Sequence, residues 1–153
     1  LGNYTSQFLA NVYLNDFDHF VKEKIKAKYY IRYVDDFVIV HNSKEQLEIW
    51  RNSLNSFLKR KLKLELHQDK SKIIGLKKGI NFLGFKVFYY HKIIRRSNIR
   101  HSKKRIMLWN KMLNENKITQ EKIEEKLKGW IAHAKHGNSY NLRRKLTLIT
   151  PNY

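Results

Sequence analysis

The chain has 153 residues, of which 32 are Lys or Arg and 13 are Asp or Glu, giving a formal charge of +19 with His neutral, and it contains no Cys. That balance excludes an ordinary acidic cytosolic enzyme, and the missing Cys excludes disulfides, Cys-ligated zinc, iron–sulfur clusters and thiol nucleophiles. With 42% hydrophobic and 13% aromatic residues there is material for a core, in one domain of common size or two small ones. The single Pro, at position 151, and six Gly leave no room for a flexible linker. No run approaches the roughly 18 apolar residues of a membrane span, and Leu1-Gly2-Asn3-Tyr4-Thr5 lacks the basic start and apolar run of a signal peptide, so the expected location is the cytoplasm. The chain starts on Leu and enters directly into what reads as a turn before a helix, so it is expected to be a fragment of a longer protein.

From Ser6 to about Lys26, the residues Phe8, Leu9, Val12, Phe17, Phe20, Val21 and Ile25 recur at threes and fours. This spacing predicts a helix, with Thr5 or Ser6 placed to cap it. Tyr29 to Val34 and Phe37 to Val40 are rich in aromatic and β-branched residues and predict a β-hairpin with Asp35 and Asp36 at its tip. A second amphipathic helix is expected from Ser43 to about Lys61, burying Leu47, Trp50, Leu54, Phe57 and Leu58. Short strands follow near Leu64 to Leu66 and Ile73 to Ile74. Residues 79–87 and 89–94 read as a further hairpin lying across the sheet edge. From about Ser102 the pattern is helical: three segments share one core, with turns near Asn114 to Thr119 and at Gly137-Asn138. The fold class is α+β, with a boundary between 98 and 99.

The charge is unevenly placed. Positions 70–114 hold no acidic residue and 13 Lys or Arg. Basic residues alternate there with aromatics, as in Lys86-Val87-Phe88-Tyr89-Tyr90-His91-Lys92, and they cluster again in Arg95, Arg96, Arg100, Lys103, Lys104 and Arg105. Cations neutralise phosphates while aromatic planes stack on bases, so the pattern suits nucleic acid, and Lys72 joins the set. A solvated basic face or a membrane-surface patch is the plainer reading, and no strong amphipathic membrane helix competes for the role. His133 and His136 have a helical spacing, but without Cys or an evident third ligand they read as solvated or RNA-facing.

Adjacent carboxylates at a hairpin tip are either turn formers or ligands for a cation. Tyr33-Val34-Asp35-Asp36 inside a hairpin resembles the catalytic motif of reverse transcriptases, and the resemblance extends along almost the whole chain. Leu1 to Gln7 is similar to the template- and nucleotide-positioning block. Leu66 to Lys72 is similar to the lysine-bearing loop and Asn81 to Phe85 to the primer-grip hairpin, while residues from about 100 onward resemble the helical thumb. Leu1 and Gln7, in a block that in most bacterial members reads Gln-Gly with Ser-Pro, resemble the enzymes of diversity-generating retroelements. Group II intron and retron-type reverse transcriptases share the other blocks.

The resemblance implies a partial polymerase palm, an antiparallel sheet with packed helices, over 1–98 and an all-helical thumb over 99–153. It implies an RNA-directed DNA polymerase that copies RNA by two-metal nucleotidyl transfer. Asp35 and Asp36 would be the magnesium ligands, and Lys70 the lysine serving the leaving pyrophosphate, with Lys72 as its competitor. Gly2, Ser6, Gln7, Tyr33 and Val34 would position template and substrate, and Phe82, Leu83, Gly84 and Phe85 the primer. Two Mg2+ ions, an RNA template, a DNA or RNA primer, deoxynucleoside triphosphates and a small basic accessory protein are the implied cofactors and partners. The family's other essential Asp belongs to an earlier strand that precedes Leu1, so the chain alone is expected to be inactive. The alternative from another class is a non-catalytic basic RNA-binding module in which Asp35 and Asp36 only form a turn.

Overall fold

The structure, a computed structural model, describes residues 4–147. It divides into two compact units, one up to Ile73 and one from Ile74. Helices combine with two small antiparallel sheets, an α+β arrangement.

The first unit opens with α1 (Tyr4–Tyr13) and α2 (Asn15–His19), followed by a π turn over Phe20–Lys24. The single helix read from the apolar spacing is bent at Leu14, whose φ of −87° and ψ of 4° leave the helical region. The hydrogen-bond ladder still crosses the bend, from Leu14 N–H to Ala10 O and from Asp18 N–H to Leu14 O. Thr5 and Ser6 lie inside α1 and do not cap it. The hairpin is β1 (Tyr29–Tyr33) and β2 (Asp36–Val40), in the register Tyr33 opposite Asp36 through Tyr29 opposite Val40. Its tip is therefore Val34-Asp35, and Asp36 already belongs to β2, a correction to the reading that placed both carboxylates at the tip.

Helix α3 (Lys44–Phe57) continues into a π turn over Leu58–Leu62. Ser43 caps it, its side chain accepting from Gln46 N–H at 3.0 Å. The cap satisfies one of the four orphan donors of a helix start. A two-stranded hairpin is marginal by itself; this one lies on a core of Phe17, Val21, Ala27, Leu54, Leu58 and Leu62, to which it adds Tyr30, Phe37 and Ile39. The strands expected at 64–66 and 73–74 do not form. Leu66 N–H bonds the Asn55 side chain at 3.1 Å instead of a neighbouring strand, and the Leu66 side chain packs on the core.

In the second unit β3 (Ile80–Phe82), β4 (Phe85–Val87) and β5 (Lys92–Ile94) form a meander of their own rather than an extension of the first sheet. Three helices follow, α4 (Arg96–Asn114), α5 (Gln120–Lys135) and α6 (Tyr140–Thr147). They do share one core, of Ile106, Ile123, Leu127 and Leu146 with Trp109 and Leu113 packed against it. A second cluster joins Phe85 and Ile94 of the meander to Ala134 of α5, and Trp130 and Leu142 touch both clusters. This packing explains why the compact units part at 73/74, whereas the change of composition lies at 98/99: the apolar face of the meander is covered by α5. Helix α4 also begins earlier than Ser102, at Arg96. No described helix is long and apolar enough to cross a membrane.

Phe17 is 1% exposed and Phe8 is 67% exposed. Phe17→Ala should therefore cost about 3–5 kcal/mol by leaving a cavity, and Phe8→Ala within about 0.5 kcal/mol. Urea unfolding of the two variants beside the parent chain measures both.

Candidate active site

The tip of the first hairpin is a two-residue turn, and such turns close well only with left-handed backbone at one or both positions. Val34 supplies it with φ of +55°. For a β-branched residue that conformation is an outlier, which persists only where the surroundings impose it. What imposes it is visible. The Arg32 guanidinium donates from Nη1 to the Val34 carbonyl at 2.6 Å and to Asn11 Oδ1 at 2.9 Å. The same group donates from Nε and Nη2 to the two oxygens of Asp18, at 2.8 and 2.5 Å. Tyr30 donates its hydroxyl to Asp18 Oδ1 at 2.5 Å.

One carboxylate on α2 thus grips two alternate residues of β1, and the gripped arginine holds both the turn carbonyl and α1. Alternation along the strand makes this possible, because Tyr30 and Arg32 share the face that lies on the helices. The electrostatics follow the geometry. The Arg32 fork, assisted by the Tyr30 hydroxyl, holds the Asp18 carboxyl below its ordinary value, although partial burial opposes it. The hydrogen bond to Asp18 raises Arg32 further. Burial first, and then the bond to Asp18, push the Tyr30 phenol well up.

Asp35 and Asp36 themselves are exposed. They offer hard oxygen donors of the kind magnesium takes, so the donor chemistry fits that ion. The set is incomplete, since no group of three or more His, Asp or Glu that could hold a metal exists among the described residues. Tyr33 lies on the outward face of β1, with Tyr29 and Ile31, and all three are exposed.

The other residues singled out from the sequence are placed as follows. Gly2 lies outside the described residues. Ser6 and Gln7 are exposed on α1; Asn11 is one turn after Gln7, so the side of α1 that bears Gln7 is tied to Arg32. Lys70 and Lys72 are exposed in the loop after α3, where the N–H groups of Lys70 and Ser71 both reach His67 O, at 3.2 and 3.0 Å.

In the second unit Leu83-Gly84 is the turn between β3 and β4, with φ of +47° and +83°, both left-handed as a two-residue hairpin favours. A Cβ at Gly84 would stand 2.9 Å from the Asn98 side-chain nitrogen. Asn98 donates to Gly84 O at 3.2 Å and Arg95 N–H donates to the same oxygen at 3.0 Å, so the turn is fastened to the start of α4. Phe82 is half-buried, Leu83 exposed and Phe85 buried against the His133 ring, 4.7 Å away.

Lys86 is half-buried, its ammonium 5.5 Å from the Phe88 ring centre. Arg95 precedes α4; Arg96, Arg100, Lys103 and Lys104 form a stripe along it at helical spacing, and Arg105 lies over Trp109 at 5.3 Å. All of these α4 cations are exposed. Asp18, Arg32, Asn11 and Asn98 were not foreseen as positioning residues. Sequence alone carries no signal for the first two, because alternation along β1 does not say whether Ile31 or Arg32 faces inward, and the structure turns Ile31 outward.

Residues 1–87, more than half of the chain, match the family described as reverse transcriptase (RNA-dependent DNA polymerase). The chain belongs to the reverse transcriptase family. It is 31% identical to Protein YkfC of Escherichia coli K12 over 127 residues, 62% of this chain and 32% of that protein. It is 38% identical over 66 residues to a putative COX1/OXI3 intron 2 protein of Saccharomyces cerevisiae, covering 42% of this chain and 8% of that protein. It is also 38% identical over 63 residues to the group II intron-encoded protein LtrA of Lactococcus lactis, covering 40% of this chain and 10% of that protein. The aligned part thus spans about a third or less of these relatives.

The Asp18 carboxylate, held below its ordinary value of 3.8 in the folded state, adds stability that is complete above that value and is lost as pH falls through the lowered one. Asp18→Asn should therefore lower stability by about 1 kcal/mol at pH 6, a modest figure because the pair is partly solvated. The difference from the parent should shrink below about pH 4. Urea unfolding of both proteins at pH 6 and pH 3 checks this.

Proposed function

We propose that this chain supplies the C-terminal palm and the helical thumb of a reverse transcriptase that copies an RNA template into DNA. The observation that carries the reading is the exposed pair of Asp35, on a turn held in place by Arg32, and Asp36, which starts β2, in a chain of this family. Asp35 and Asp36 would hold the catalytic magnesium. When bound, that metal activates the primer 3′ hydroxyl and neutralises charge on the departing pyrophosphate.

The rest falls to the chain. Lys70, or Lys72 two residues on, stands exposed on its loop, where an ammonium could stabilise or protonate the pyrophosphate. Ser6 and Gln7 present hydrogen-bonding groups to template and nucleotide, and Tyr33 and Val34 flank the carboxylates on the primer side. The turn at Leu83-Gly84 and the cationic stripe of α4 follow the backbone of the primer–template duplex through phosphate contacts. Two carboxylates are too few oxygens to hold magnesium well, since that ion demands near-octahedral coordination. The third would come from another strand of the palm, and this polypeptide by itself would not extend a primer.

Two observations bear on the type of element. Similarity to the group II intron-encoded protein LtrA favours a group II intron enzyme. Leu1 and Gln7 support the diversity-generating type, in which adenines of the template are miscopied and a small basic protein assists. Sequencing the cDNA made from one adenine-rich template separates the two.

Primer extension on RNA with magnesium tests the activity, using the 153-residue chain, a longer polypeptide that carries this sequence, and the longer one with Asp35→Ala and Asp36→Ala. Extension is expected from the longer protein alone, and the double variant should fall by more than about a hundredfold. A longer protein that binds RNA and never extends a primer would leave a basic RNA-binding module as the function.

A further inference from the structure

Between β4 and β5 the chain reverses over Phe88 to His91, at the end of β4 opposite the Leu83-Gly84 turn. The reversal is fixed by the Phe88 N–H bond to His91 O at 2.8 Å and by stacking of the two rings, 4.7 Å apart and 16° from parallel. Below it, Phe88 covers Gly79 so closely that a Cβ there would stand 2.8 Å from the ring, and Gly79 has φ of +73°. The loop is therefore built on its inner side.

On the outer side it presents Tyr89 and Tyr90, 74% and 91% exposed, with ring centres 4.5 Å apart at 78°. These two bare tyrosines are adjacent and stand on a braced turn, whereas the unit's other strongly exposed large side chains, Met107, Leu108 and Tyr140, lie on helices. Their surroundings are cationic: the Lys86 ammonium stands 5.5 Å from the Phe88 ring centre, Lys77 and Lys78 precede Gly79, and the chain has no acidic residue from 70 to 114, whereas the Lys92 ammonium is turned away to Phe85, 5.4 Å from that ring. The acids of the second unit, Glu115, Glu121, Glu124 and Glu125, lie at or before the middle of α5, whereas the meander packs on Ala134 and bonds Asn138 N–H near its other end.

We propose that Tyr89 and Tyr90 are a stacking platform for unpaired bases of a single-stranded nucleic acid, whose phosphates are met by Lys86 and His91 with Lys77 and Lys78. This inference rests on the reading that the chain acts on nucleic acid, and it assigns the single strand, template or displaced, to a site at the other end of β4 from the turn proposed to hold the primer. Aromatic planes beside cations bind single strands in this way because every base has a face to stack, and a paired base keeps its faces in the helix.

The test uses the 153-residue chain and a fluorescein-labelled 12-nucleotide RNA, single-stranded or annealed to its complement, read by fluorescence anisotropy. Tyr89→Ala with Tyr90→Ala should weaken single-strand binding about tenfold, leave duplex binding unchanged, and leave the slope of affinity against salt unchanged. Tyr89→Phe with Tyr90→Phe should bind like the parent, since stacking needs the ring and not the hydroxyl. Thermal melting confirms that both variants are folded, as exposed positions allow.

Single-strand binding untouched by the alanines overturns the proposal and leaves the tyrosines to a protein partner. Equal loss on strand and duplex overturns it in favour of a general electrostatic role. A parent chain that binds neither RNA removes the nucleic-acid reading together with the platform. Failure of the alanine variants alone leaves that wider reading standing.

Discussion

A two-residue hairpin turn demands a left-handed backbone, and this chain meets the demand twice with opposite means. At Leu83-Gly84 one position is glycine, and the turn is then fastened through the Gly84 carbonyl by Arg95 and Asn98. At Val34-Asp35 there is no glycine, and a β-branched side chain takes a conformation that costs on the order of 1–3 kcal/mol. The cost is offset by Arg32, which bonds the Val34 carbonyl while it is itself held by two oxygens of Asp18. Remove the carboxylate and three elements lose their common tie: the bend after α1, the inward face of β1, and the turn that presents Asp35.

The two units differ in how they spend charge. In the first, an acid is set against a base where the left-handed Val34 turn has to be held. In the second, cations go unopposed over long stretches, and Arg96 even stands in the first turn of α4, where the helix dipole disfavours positive charge. Such a placement loses a few tenths of a kcal/mol of stability, a loss that the proposed contact with a polyanion would account for. Local rules broken without a structural return tend to mark functional surfaces.

Much of this was legible in the residues. The hairpin at 29–40, the helix capped by Ser43 and the three-helix core all follow from periodicity and turn chemistry, because burial on one face writes itself into the spacing of Leu54 and Leu58 or of Ile123 and Leu127. The carboxylate pair was found by its motif. The bend at Leu14 was not legible, since the apolar spacing runs on through it. Nor were the missing strands at 64–66 and 73–74, where β-type composition found a side chain, Asn55, instead of a neighbouring strand. The attachment of the meander to α5 depends on Phe85 and Ile94 meeting Ala134 far along the sequence, and no local pattern encodes that. Asp18 was visible as an acid on a helix face; its role became clear only with Arg32 opposite it.

The π turns that end the first unit's helices carry a separate meaning. After each, the chain is reversed by a lysine in the left-handed region, Lys26 at φ of +54° and Lys63 at +53°, and a backbone N–H reaches back to a carbonyl of the turn, Ala27 to Val21 O and Leu64 to Leu58 O. Glycine is the usual residue at such a stop. Lysine instead trades backbone ease, on the order of 1 kcal/mol, for a positive charge beside the partial negative charge of the helix end. Part of each stop is thus electrostatic, so dissolved ions reach it while the apolar core behind it is indifferent to them. Ionic strength becomes a control on how firmly these two helices are finished, independent of how well they are packed.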